Sequence, residues 1–278
     1  MDIMTHISSI LAIDPREATD TDRALLLPVW EQLRNGDIRS AEKHGDTWIV
    51  NMPVKQVILW AFRAGVLTDM TPDGAQVFSF TDKNTLPVQN FDASEGRRIV
   101  PGGTTVRDAS YLAAGVIVMP PAYINIGAYI DEGTLVDSHA LVGSCAQIGR
   151  NVHLSAAVQI GGVLEPIGAM PVIIEDDVMV GGNCGIYEGT IVRRRAVIGT
   201  GVILNGSTPV FDLVREVLYR KTSEHPLEIP ENAVVVQGSR PAHGRFAEAR
   251  GVHLYTPVIV KYRDEKTDAG TALEDALR

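Results

Sequence analysis

One aspartate and one histidine stand where they could transfer protons. Asp137 directly follows Val136, an aliphatic residue in a regular series of inward-pointing anchors, so its carboxylate is expected at a corner of the fold, facing a cleft. A carboxylate placed there can accept a proton from an attacking amine as a general base. His139 is an alternative base, because imidazole exchanges protons near neutral pH. An aspartate that only caps a turn is the structural alternative.

Basic side chains are concentrated in the later part of the chain. Arg193, Arg194 and Arg195 are consecutive, and Arg220 and Lys221 form a second pair. Guanidinium and ammonium groups bind phosphate groups through charge-assisted hydrogen bonds. A solvated basic surface is the alternative interpretation of the same residues.

A six-residue period organises the chain from Val100 to Leu204. Each sixth residue is aliphatic, in a first run that comprises Val100, Val106, Leu112, Val118, Ile124, Ile130, Val136, Val142, Ile148, Leu154 and Ile160. The period breaks at Glu165 to Val172, shifts by two residues and resumes with Ile174, Val180, Ile186, Val192, Ile198 and Leu204. This period matches neither a helix, at about 3.6 residues a turn, nor a strand, at about 2, and it indicates a repeat architecture.

The period predicts a mainly β fold in which each hexapeptide is a short strand followed by a turn. Three hexapeptides, or roughly 18 residues, make one coil of a triangular prism. Strands of successive coils are expected to lie about 4.8 Å apart. We therefore expect Val136, Leu154 and Ile174 to stack above one another inside the prism. An irregular β-sandwich is the alternative. Sandwiches have turns about every 8 to 12 residues, so a strict period of six is not expected for them.

Composition limits the classes of function. The chain has 278 residues and a net charge of −9, which argues against a nucleic-acid partner. It has no apolar run of about 18 residues and no charged-then-apolar segment at its N-terminus, so we expect neither a membrane span nor a secretion leader. Its two cysteines, Cys145 and Cys184, both lie inside hexapeptides and are predicted to be packed, reduced thiols of a cytoplasmic protein.

We divide the chain into three parts. Residues 1–98 are predicted to form a mainly helical N-terminal domain, residues 99–238 the prism, and residues 239–278 a C-terminal strand region and tail. In the first part, one helix is expected over Thr21 to Leu33, two short strands around Gly45-Asp46, and a second helix from Pro53 to Gly65, since proline favours the first helical turn and glycine the end.

Two insertions interrupt the repeat, near residues 165–172 and 209–228. Insertions in solenoid proteins often lie on the binding face. Ile229 and Val235 restore the period after the second insertion. Leu254 to Tyr262 is predicted to be a terminal strand that covers the end of the prism, and residues 264–278 a charged tail or short helix.

Several runs of this sequence closely resemble the tetrahydrodipicolinate N-succinyltransferase family. They are Pro121–Asp137, Val142–Gly149, Asn151–Leu154 and Ile160–Pro166, with shorter matches at Asp37–Lys43 and Val258–Lys261. The resemblance implies a left-handed parallel β-helix, a homotrimer with active sites between subunits, and transfer of succinyl from succinyl-CoA to tetrahydrodipicolinate in lysine and diaminopimelate biosynthesis, without a metal.

The resemblance also assigns roles to particular residues. Asp137 matches the family's aspartate that contacts the amino substrate. The family's second catalytic carboxylate lies in the Gly181–Gly189 segment, where members carry an acid at the position of Gly185 and another that matches Glu188. Only Glu188 is present here, so it is the second catalytic candidate. It is expected on a different face from Asp137, two coils further on, so cooperation would cross a subunit interface.

Cations are needed to bind the dicarboxylate substrate and CoA. Arg98 aligns with the family's substrate-binding arginine, although one residue is inserted shortly after it, and a guanidinium can bind a carboxylate through two hydrogen bonds. Arg107 is the second candidate for the substrate. Arg193 and Lys221 are predicted to bind the phosphates of CoA.

Two other functions remain in competition. One is a hexapeptide-repeat acetyltransferase that uses acetyl-CoA on the same or a related amine, since one sequence does not place a cation near the end of the acyl chain. The other is a metal-dependent hydrolase such as a γ-type carbonic anhydrase, which needs three histidine ligands on one edge. Only His139 and His153 lie in the early coils, and their 14-residue spacing is not a multiple of six.

Overall fold

The computed structural model describes residues 2–72 and 79–264. Its helices are α1 (Ile3–Leu11), α2 (Asp20–Ala24), α3 (Leu26–Asn35), α4 (Met52–Ala64) and α5 (Arg245–Arg250), with a 3-10 turn at Ala93–Glu95. None of the helices in this part of the chain is long and apolar enough to cross a membrane. Residues 265–278, which include most of the predicted charged tail, lie outside the described residues.

The predicted helices of the N-terminal part are present. The helix predicted over Thr21 to Leu33 is two helices, because Leu25 separates α2 from α3. Helix α3 ends at Gly36, whose φ of 77° is left-handed. The second is α4, which has proline in its first turn and ends at Gly65. The expected strand pair is β1 (Ala41–His44) and β2 (Thr47–Val50), which are antiparallel. A second small pair is formed by β3 (Leu67–Asp69) and β4 (Thr81–Lys83).

The period of six corresponds to a run of two-residue strands. They are β5 (Arg98–Ile99), β6 (Thr105–Val106), β7 (Tyr111–Leu112), β8 (Ile117–Val118), β9 (Tyr123–Ile124), β10 (Tyr129–Ile130), β11 (Leu135–Val136), β12 (Leu141–Val142), β13 (Gln147–Ile148), β14 (His153–Leu154), β15 (Gln159–Ile160), β16 (Ile173–Ile174), β17 (Met179–Val180), β18 (Gly185–Ile186), β19 (Ile191–Val192), β20 (Val197–Ile198) and β21 (Ile203–Leu204). The C-terminal strands are β22 (Val210–Asp212), β23 (Val217–Tyr219), β24 (Glu228–Ile229), β25 (Ala233–Pro241) and β26 (His253–Tyr262).

These strands form three parallel sheets that the chain visits in turn. Sheet A has the order β6-β9-β12-β15-β18-β21, sheet B the order β7-β10-β13-β16-β19-β24, and sheet C runs from β5 through β8, β11, β14, β17 and β20 to β25. Within an uninterrupted coil each residue pairs with the residue 18 positions later, as Leu135 does with His153. The structure is therefore a mainly β solenoid with three faces and 18 residues a coil.

The second residue of each short strand points into the solenoid. Val136, Leu154 and Ile186 are among a continuous column of fully buried aliphatic side chains. A single coil cannot bury its own aliphatic residues, so stacking of coils completes the core. Corners are tight, and many non-glycine corner residues, such as His139, have a left-handed backbone, with φ 62° in that case.

The predicted stacking of Ile174 on Leu154 is wrong. Leu154 pairs with Val180 in sheet C, whereas Ile174 lies in sheet B between Ile148 and Val192. The insertion separates Ile160 from Ile174 by 14 positions instead of six, so it adds eight residues. A repeat of six cannot distinguish a shift of two from a shift of eight, and the second value changes the sheet to which an anchor belongs.

The first anchor is also displaced by one residue. Ile99, and not Val100, pairs with Val118 in sheet C. The additional residue lies in the corner that contains Gly102 and Gly103, both of which have positive φ. The spacing from Ile99 to the next anchor, Val106, is therefore seven residues instead of six.

The N-terminal helices pack against sheet B and its corners. Side chains of α1, α3 and α4 form a second apolar core with Ala109, Ile126 and Cys145 of the solenoid. Buried Lys55 on α4 extends toward the first insertion, where its Nζ donates to the carbonyl oxygen of Ala169 at 2.7 Å. The N-terminal part thereby fixes both a face of the solenoid and the inserted loop.

The C-terminal strands continue sheet C past its last coil. Ile229 and Val235 restore the period by pairing with Val192 and Ile198. β25 and β26 form a long antiparallel hairpin, and β26 contains the predicted terminal strand with one further residue. The second insertion contributes the β22–β23 hairpin, whose first strand pairs with β26.

Candidate active site

Asp137 lies at the corner that leads from sheet C to sheet A. Its backbone N–H donates to the carbonyl oxygen of Leu154 at 2.9 Å, so the ladder between β11 and β14 fixes its position. Its Oδ1 accepts a hydrogen bond from the backbone N–H of Ser138 at 2.6 Å, which caps the turn. Its Oδ2 accepts no hydrogen bond from any described residue. The side chain is half-buried, so one carboxylate oxygen stays available at the surface.

Two other corner aspartates have the same turn geometry but different surroundings. Asp131 Oδ1 accepts from the next amide at 2.8 Å, and its Oδ2 lies 3.5 Å from Nε of Arg150. Asp108 also accepts from the next amide, at 2.7 Å, and both its oxygens accept from Arg34, at 2.8 and 3.0 Å. Asp137 differs from both, since no cation of the described residues pairs with it. Turn capping thus explains one oxygen of Asp137 and leaves the other for a ligand.

Arg98 lies on sheet C, whose strand β11 leads directly into the Asp137 corner. It is the first residue of β5, and only β8 separates β5 from β11. Two strand spacings amount to roughly 10 Å along the solenoid axis. The Arg98 side chain is exposed and makes no hydrogen bond or ion pair with the described residues. A free guanidinium and a free carboxylate oxygen therefore share one face of the solenoid. His139, in the Asp137 turn, is exposed as well.

Arg107 is held within the subunit by three groups. Its Nε donates to the Tyr123 hydroxyl at 2.9 Å, one Nη donates to the carbonyl oxygen of Leu86 at 2.6 Å, and the other pairs with Asp82. Although burial opposes its charge, these partners raise the pKa of Arg107. Each nitrogen of this guanidinium already has a partner, so Arg107 braces the N-terminal part against the first coil.

Glu188 and Lys221 come together at a different corner, between sheets A and B. Oε2 of Glu188 accepts a hydrogen bond from the backbone N–H of Gly206 at 2.9 Å. A Cβ on Gly206 would lie 2.5 Å from that oxygen and 3.4 Å from Nζ of Lys221, so both side chains flank this glycine. Both are exposed. The second insertion thus brings a cation to the corner that carries Glu188.

Gly185 is covered by an aromatic ring. A Cβ at this position would lie 2.4 Å from Cε2 and 2.7 Å from the hydroxyl oxygen of Tyr187. No side chain can therefore occupy position 185 while the ring stays in place. This position is the one at which the resemblance implies an acid.

Arg193 belongs to a saturated charge network rather than to the Lys221 corner. It donates to Glu228 at 2.7 Å and 3.0 Å, to Glu175 at 3.0 Å and to the carbonyl oxygen of Asp46 at 3.1 Å. Glu175 also accepts from Lys43 and Trp48. Burial would raise the pKa of Glu175, but the hydrogen bonds from these partners outweigh it and hold the pKa below its usual value.

The predicted site residues therefore lie in four places. Arg98 and Asp137 share sheet C, Glu188 and Lys221 share the corner after sheet A, and Arg107 and Arg193 each occupy separate structural networks. Among the described residues, no hydrogen bond or ion pair joins a site residue of one of these places to a site residue of another. Among the described residues no group of three or more histidine, cysteine, aspartate and glutamate side chains is arranged to bind a metal ion.

Two residues near these places were not predicted from the sequence. Tyr187 was missed because the eight-residue insertion changes the spacing between stacked neighbours. Gly161 contacts Tyr187 from the preceding coil and is 26 positions earlier in the chain instead of 18. Lys55 was counted as part of a helix. A lysine inside an otherwise apolar helical face was the available signal, since buried lysines need specific partners.

Comparison with known proteins finds matches to both the N-terminal part and the hexapeptide repeat. A family description for the tetrahydrodipicolinate N-succinyltransferase N-terminal region matches residues 8–64, and one for the hexapeptide repeat of succinyl-transferases matches residues 171–205. A 2,3,4,5-tetrahydropyridine-2,6-dicarboxylate N-succinyltransferase of Cupriavidus necator is 45% identical over 274 residues, which is 96% of this chain and 93% of that protein.

Relatives in other genera agree. The correspondingly named protein of Cereibacter sphaeroides is 44% identical over 267 residues, covering 94% of this chain and 90% of its own length. That of Ralstonia pickettii is 45% identical over 273 residues, covering 96% and 93%. Identity at this level over nearly the whole of both chains extends through the helical part, the solenoid and the C-terminal hairpin. The chain therefore belongs to the 2,3,4,5-tetrahydropyridine-2,6-dicarboxylate N-succinyltransferase family.

Proposed function

We propose that this chain transfers succinyl from succinyl-CoA to the nitrogen of tetrahydrodipicolinate in lysine and diaminopimelate biosynthesis. Tetrahydrodipicolinate and water supply the amine, and the products are N-succinyl-2-amino-6-oxopimelate and CoA. The observation that carries the proposal is the 45% identity over 96% of the chain to a relative named for this substrate and this acyl group. The free charges of sheet C agree with it, since a dicarboxylate needs a cation and an amine needs a proton acceptor.

We assign the proton transfer to Asp137. The amine nitrogen attacks the thioester carbonyl carbon, a C–N bond forms, and the proton leaves the nitrogen for Oδ2 of Asp137. The C–S bond then breaks and the CoA sulfur leaves as a thiolate, which takes up the proton from Asp137 and restores its carboxylate. Oδ1 stays bound to the Ser138 amide throughout, so the turn fixes the direction of the reacting oxygen. A general base in this position contributes about 10²- to 10⁴-fold to the rate.

Arg98 is proposed to bind a carboxylate of the acceptor. Its exposed guanidinium lies on the Asp137 face without a partner among the described residues. A bidentate contact would orient the acceptor along sheet C. Lys221 is proposed to meet a phosphate of CoA, and Glu188 to act at the same corner. Arg107 and Arg193 would contribute indirectly, because their donors are already used inside the subunit.

We propose further that the solenoid is left-handed and that three chains assemble with sites between them. Support for the assembly comes from the separation of the candidate groups. Asp137 and Glu188 lie on different corners and two coils apart, or roughly 10 Å along the axis. A single acyl carbon cannot contact both within one chain, whereas two edges of neighbouring chains can face each other. Sedimentation equilibrium should give about three times the 30.1 kDa of one chain. A monomeric, fully active protein would contradict this arrangement.

We place the protein in the cytoplasm. Cys145 and Cys184 are both buried and unlinked. Burial raises the pKa of Cys145 to about 12, so its thiol stays protonated and unreactive. Residues 99–238 would carry the reaction, and the described residues of the N-terminal and C-terminal parts would brace the solenoid.

The decisive experiment for the activity is a thiol-release assay that compares two acyl donors. Tetrahydrodipicolinate is generated in the cuvette, and the initial rate is measured with succinyl-CoA or acetyl-CoA at matched concentrations. We expect rapid CoA release with succinyl-CoA that depends on the acceptor, and a product whose mass has increased by one succinyl group. Faster turnover with acetyl-CoA would replace the proposal by the acetyltransferase alternative. Release of CoA without acceptor would indicate hydrolysis.

A further inference from the structure

Tyr187 lies flat on the outer surface of sheet A because two glycines leave room for it. A Cβ at Gly161 would be 2.9 Å from Cδ1 of the ring, and one at Gly185 would be 2.4 Å from Cε2. Real Cβ atoms do not approach other atoms so closely, so both positions must lack side chains for the ring to lie there. The hydroxyl oxygen is 2.7 Å from the Cβ position of residue 185. It fills the space that a side chain of residue 185 would use.

The Tyr187 hydroxyl is available to a ligand. The residue is half-buried, and its hydroxyl forms no hydrogen bond with the described residues. By contrast, the hydroxyls of Tyr255 and Tyr262 bond to the backbone of Ile203 and to Asp212. A partly buried phenol normally finds a partner, because leaving it unsatisfied costs free energy.

The ring also borders the corner that holds two of the candidate site residues. Glu188 follows Tyr187 in the chain, and Lys221 flanks the same corner through Gly206. A carboxylate at position 185 would only accept hydrogen bonds and would repel an anionic ligand. A neutral phenol at the same place donates one. The Tyr187 hydroxyl and the Lys221 ammonium group therefore offer a hydrogen-bond donor and a cation to an anionic oxygen at this corner, beside the carboxylate of Glu188.

We propose that Tyr187 is a specificity-determining residue of the acyl-transfer site, whose hydroxyl donates a hydrogen bond to a carboxylate of a bound dicarboxylate. The proposal rests on the function proposed above, in which both the acceptor and the succinyl group carry carboxylates. Either substrate could supply the oxygen, and the kinetics of the two substrates distinguish them.

The test is the Tyr187→Phe variant, which keeps the ring and removes only the hydroxyl. The KM of one substrate should rise roughly 10- to 100-fold, as expected for the loss of a hydrogen bond to a charged group, with little change in kcat. One series varies succinyl-CoA at saturating acceptor and the other varies the acceptor at saturating succinyl-CoA. The substrate whose KM rises identifies the carboxylate. The melting temperature should equal that of the wild type.

A matched control is Tyr111→Phe. Tyr111 is also half-buried and packs against a glycine, Gly36, but it lies on sheet B beneath α3. Removing the Tyr111 hydroxyl should change neither the KM for succinyl-CoA nor the KM for the acceptor. A second variant, Gly185→Ala, should displace the ring and raise the same KM as Tyr187→Phe. Gly168→Ala is its control, because a Cβ there would have only Met52 Sδ nearby, at 3.9 Å.

The outcomes separate this inference from the proposed function. A wild-type protein that releases no CoA from succinyl-CoA in the presence of acceptor would overturn the function. Normal wild-type turnover combined with wild-type KM values for both substrates in Tyr187→Phe would overturn only the role of Tyr187. So would equal effects of Tyr187→Phe and Tyr111→Phe.

Discussion

Two groups of charged side chains on the solenoid differ in how completely they are paired. Around Glu175, the carboxylate accepts from Lys43, Trp48 and Arg193, and Arg193 in turn donates to Glu228. On sheet C, Arg98 has no partner among the described residues and Asp137 keeps one free oxygen. In the first group the charged side chains are paired with one another, whereas the second group presents unpaired hydrogen-bonding atoms at the surface.

This difference teaches how to separate structural from functional charges in a repeat protein. Both groups contain an arginine and an acid, and the acids Asp137 and Glu175 both directly follow an inward-pointing anchor, so residue type and position in the hexapeptide do not distinguish them. Pairing does, because a side chain whose donors or acceptors are all used cannot bind a ligand without losing a contact. The following four predictions test this distinction, from the largest expected effect to the smallest.

Asp137→Asn should lower kcat about 10²- to 10⁴-fold, because the amide cannot accept the proton from the amine. Its thermal stability should be unchanged, since Asn125 caps a corner in the same way, with its Oδ1 accepting from the Ile126 amide at 2.9 Å. Thiol release and thermal melting measure the two effects. Asp131→Asn is the control, which removes a corner acid paired with Arg150 and should keep near-normal turnover. Equal activities of the two variants would show that the free oxygen has no catalytic role.

Glu175→Ala should have the opposite profile. Glu175 is only 7% exposed, and its removal leaves Lys43 and Arg193 without their shared acceptor. Breaking a buried pair costs about 3 kcal/mol or more in the free energy of unfolding. Urea unfolding measures the loss, and kcat per folded molecule should stay near the wild-type value.

The control for that variant is Glu231→Ala. Glu231 makes an exposed contact with Arg194 at 3.7 Å, and surface pairs contribute about 0 to 1 kcal/mol. A similar loss of stability in both variants would mean that the buried network is no stronger than a surface pair.

Arg98→Ala should raise the KM for the acceptor roughly 10- to 100-fold, as expected for the loss of a hydrogen bond between charged groups. Arg98→Lys should recover only part of the effect, because an ammonium cannot form the bidentate contact. Steady-state kinetics with varied acceptor provides the measurement. Arg150→Ala, which removes an exposed arginine from the Asp131 pair, should leave this KM unchanged. A normal KM in Arg98→Ala would remove Arg98 from the site.

The pH dependence of stability gives the smallest effect. Because the hydrogen bonds of Glu175 hold its pKa below 4.5 in the folded chain, its ionised form stabilises the protein above about pH 4.5, and this contribution is lost as the pH falls through the folded-state pKa. The stability difference between wild type and Glu175→Gln should therefore be constant near neutral pH and shrink below about 4.5. Urea unfolding at several pH values measures it. A difference that grows in acid would contradict the assigned direction.

The sequence predicts the solenoid well because the packing of stacked coils itself requires the six-residue period. Stacked coils require an aliphatic residue at each inward position, so anchors such as Leu154 and Ile198 could be recognised without any structure. Ile229 and Val235 were placed correctly for the same reason. The position of Ile174 was not, because insertion length is invisible to a short period.

The site was harder to predict because pairing depends on residues far apart in the chain. Arg193 and Arg107 looked like ligand-binding cations, yet their partners Glu228 and Asp82 come from a different coil and a different domain. Tyr187 can lie over sheet A only because Gly161, 26 positions earlier in the chain, faces its ring from the neighbouring coil. No local pattern contains this information. The roles assigned to Asp137, Glu188, Arg98, Arg107, Arg193 and Lys221 stay predictions until they are measured.

The central claim is that the free charges of sheet C and a corner of a neighbouring chain form one acyl-transfer site. A crystal structure with CoA and 2-aminopimelate, an acyclic amino dicarboxylate, tests it most directly. We expect the amine nitrogen within hydrogen-bonding distance of Asp137 Oδ2, a ligand carboxylate at Arg98, and the CoA arm bordered by residues of a second chain. An amine bound far from Asp137, or a ligand contacted by one chain alone, would contradict the account.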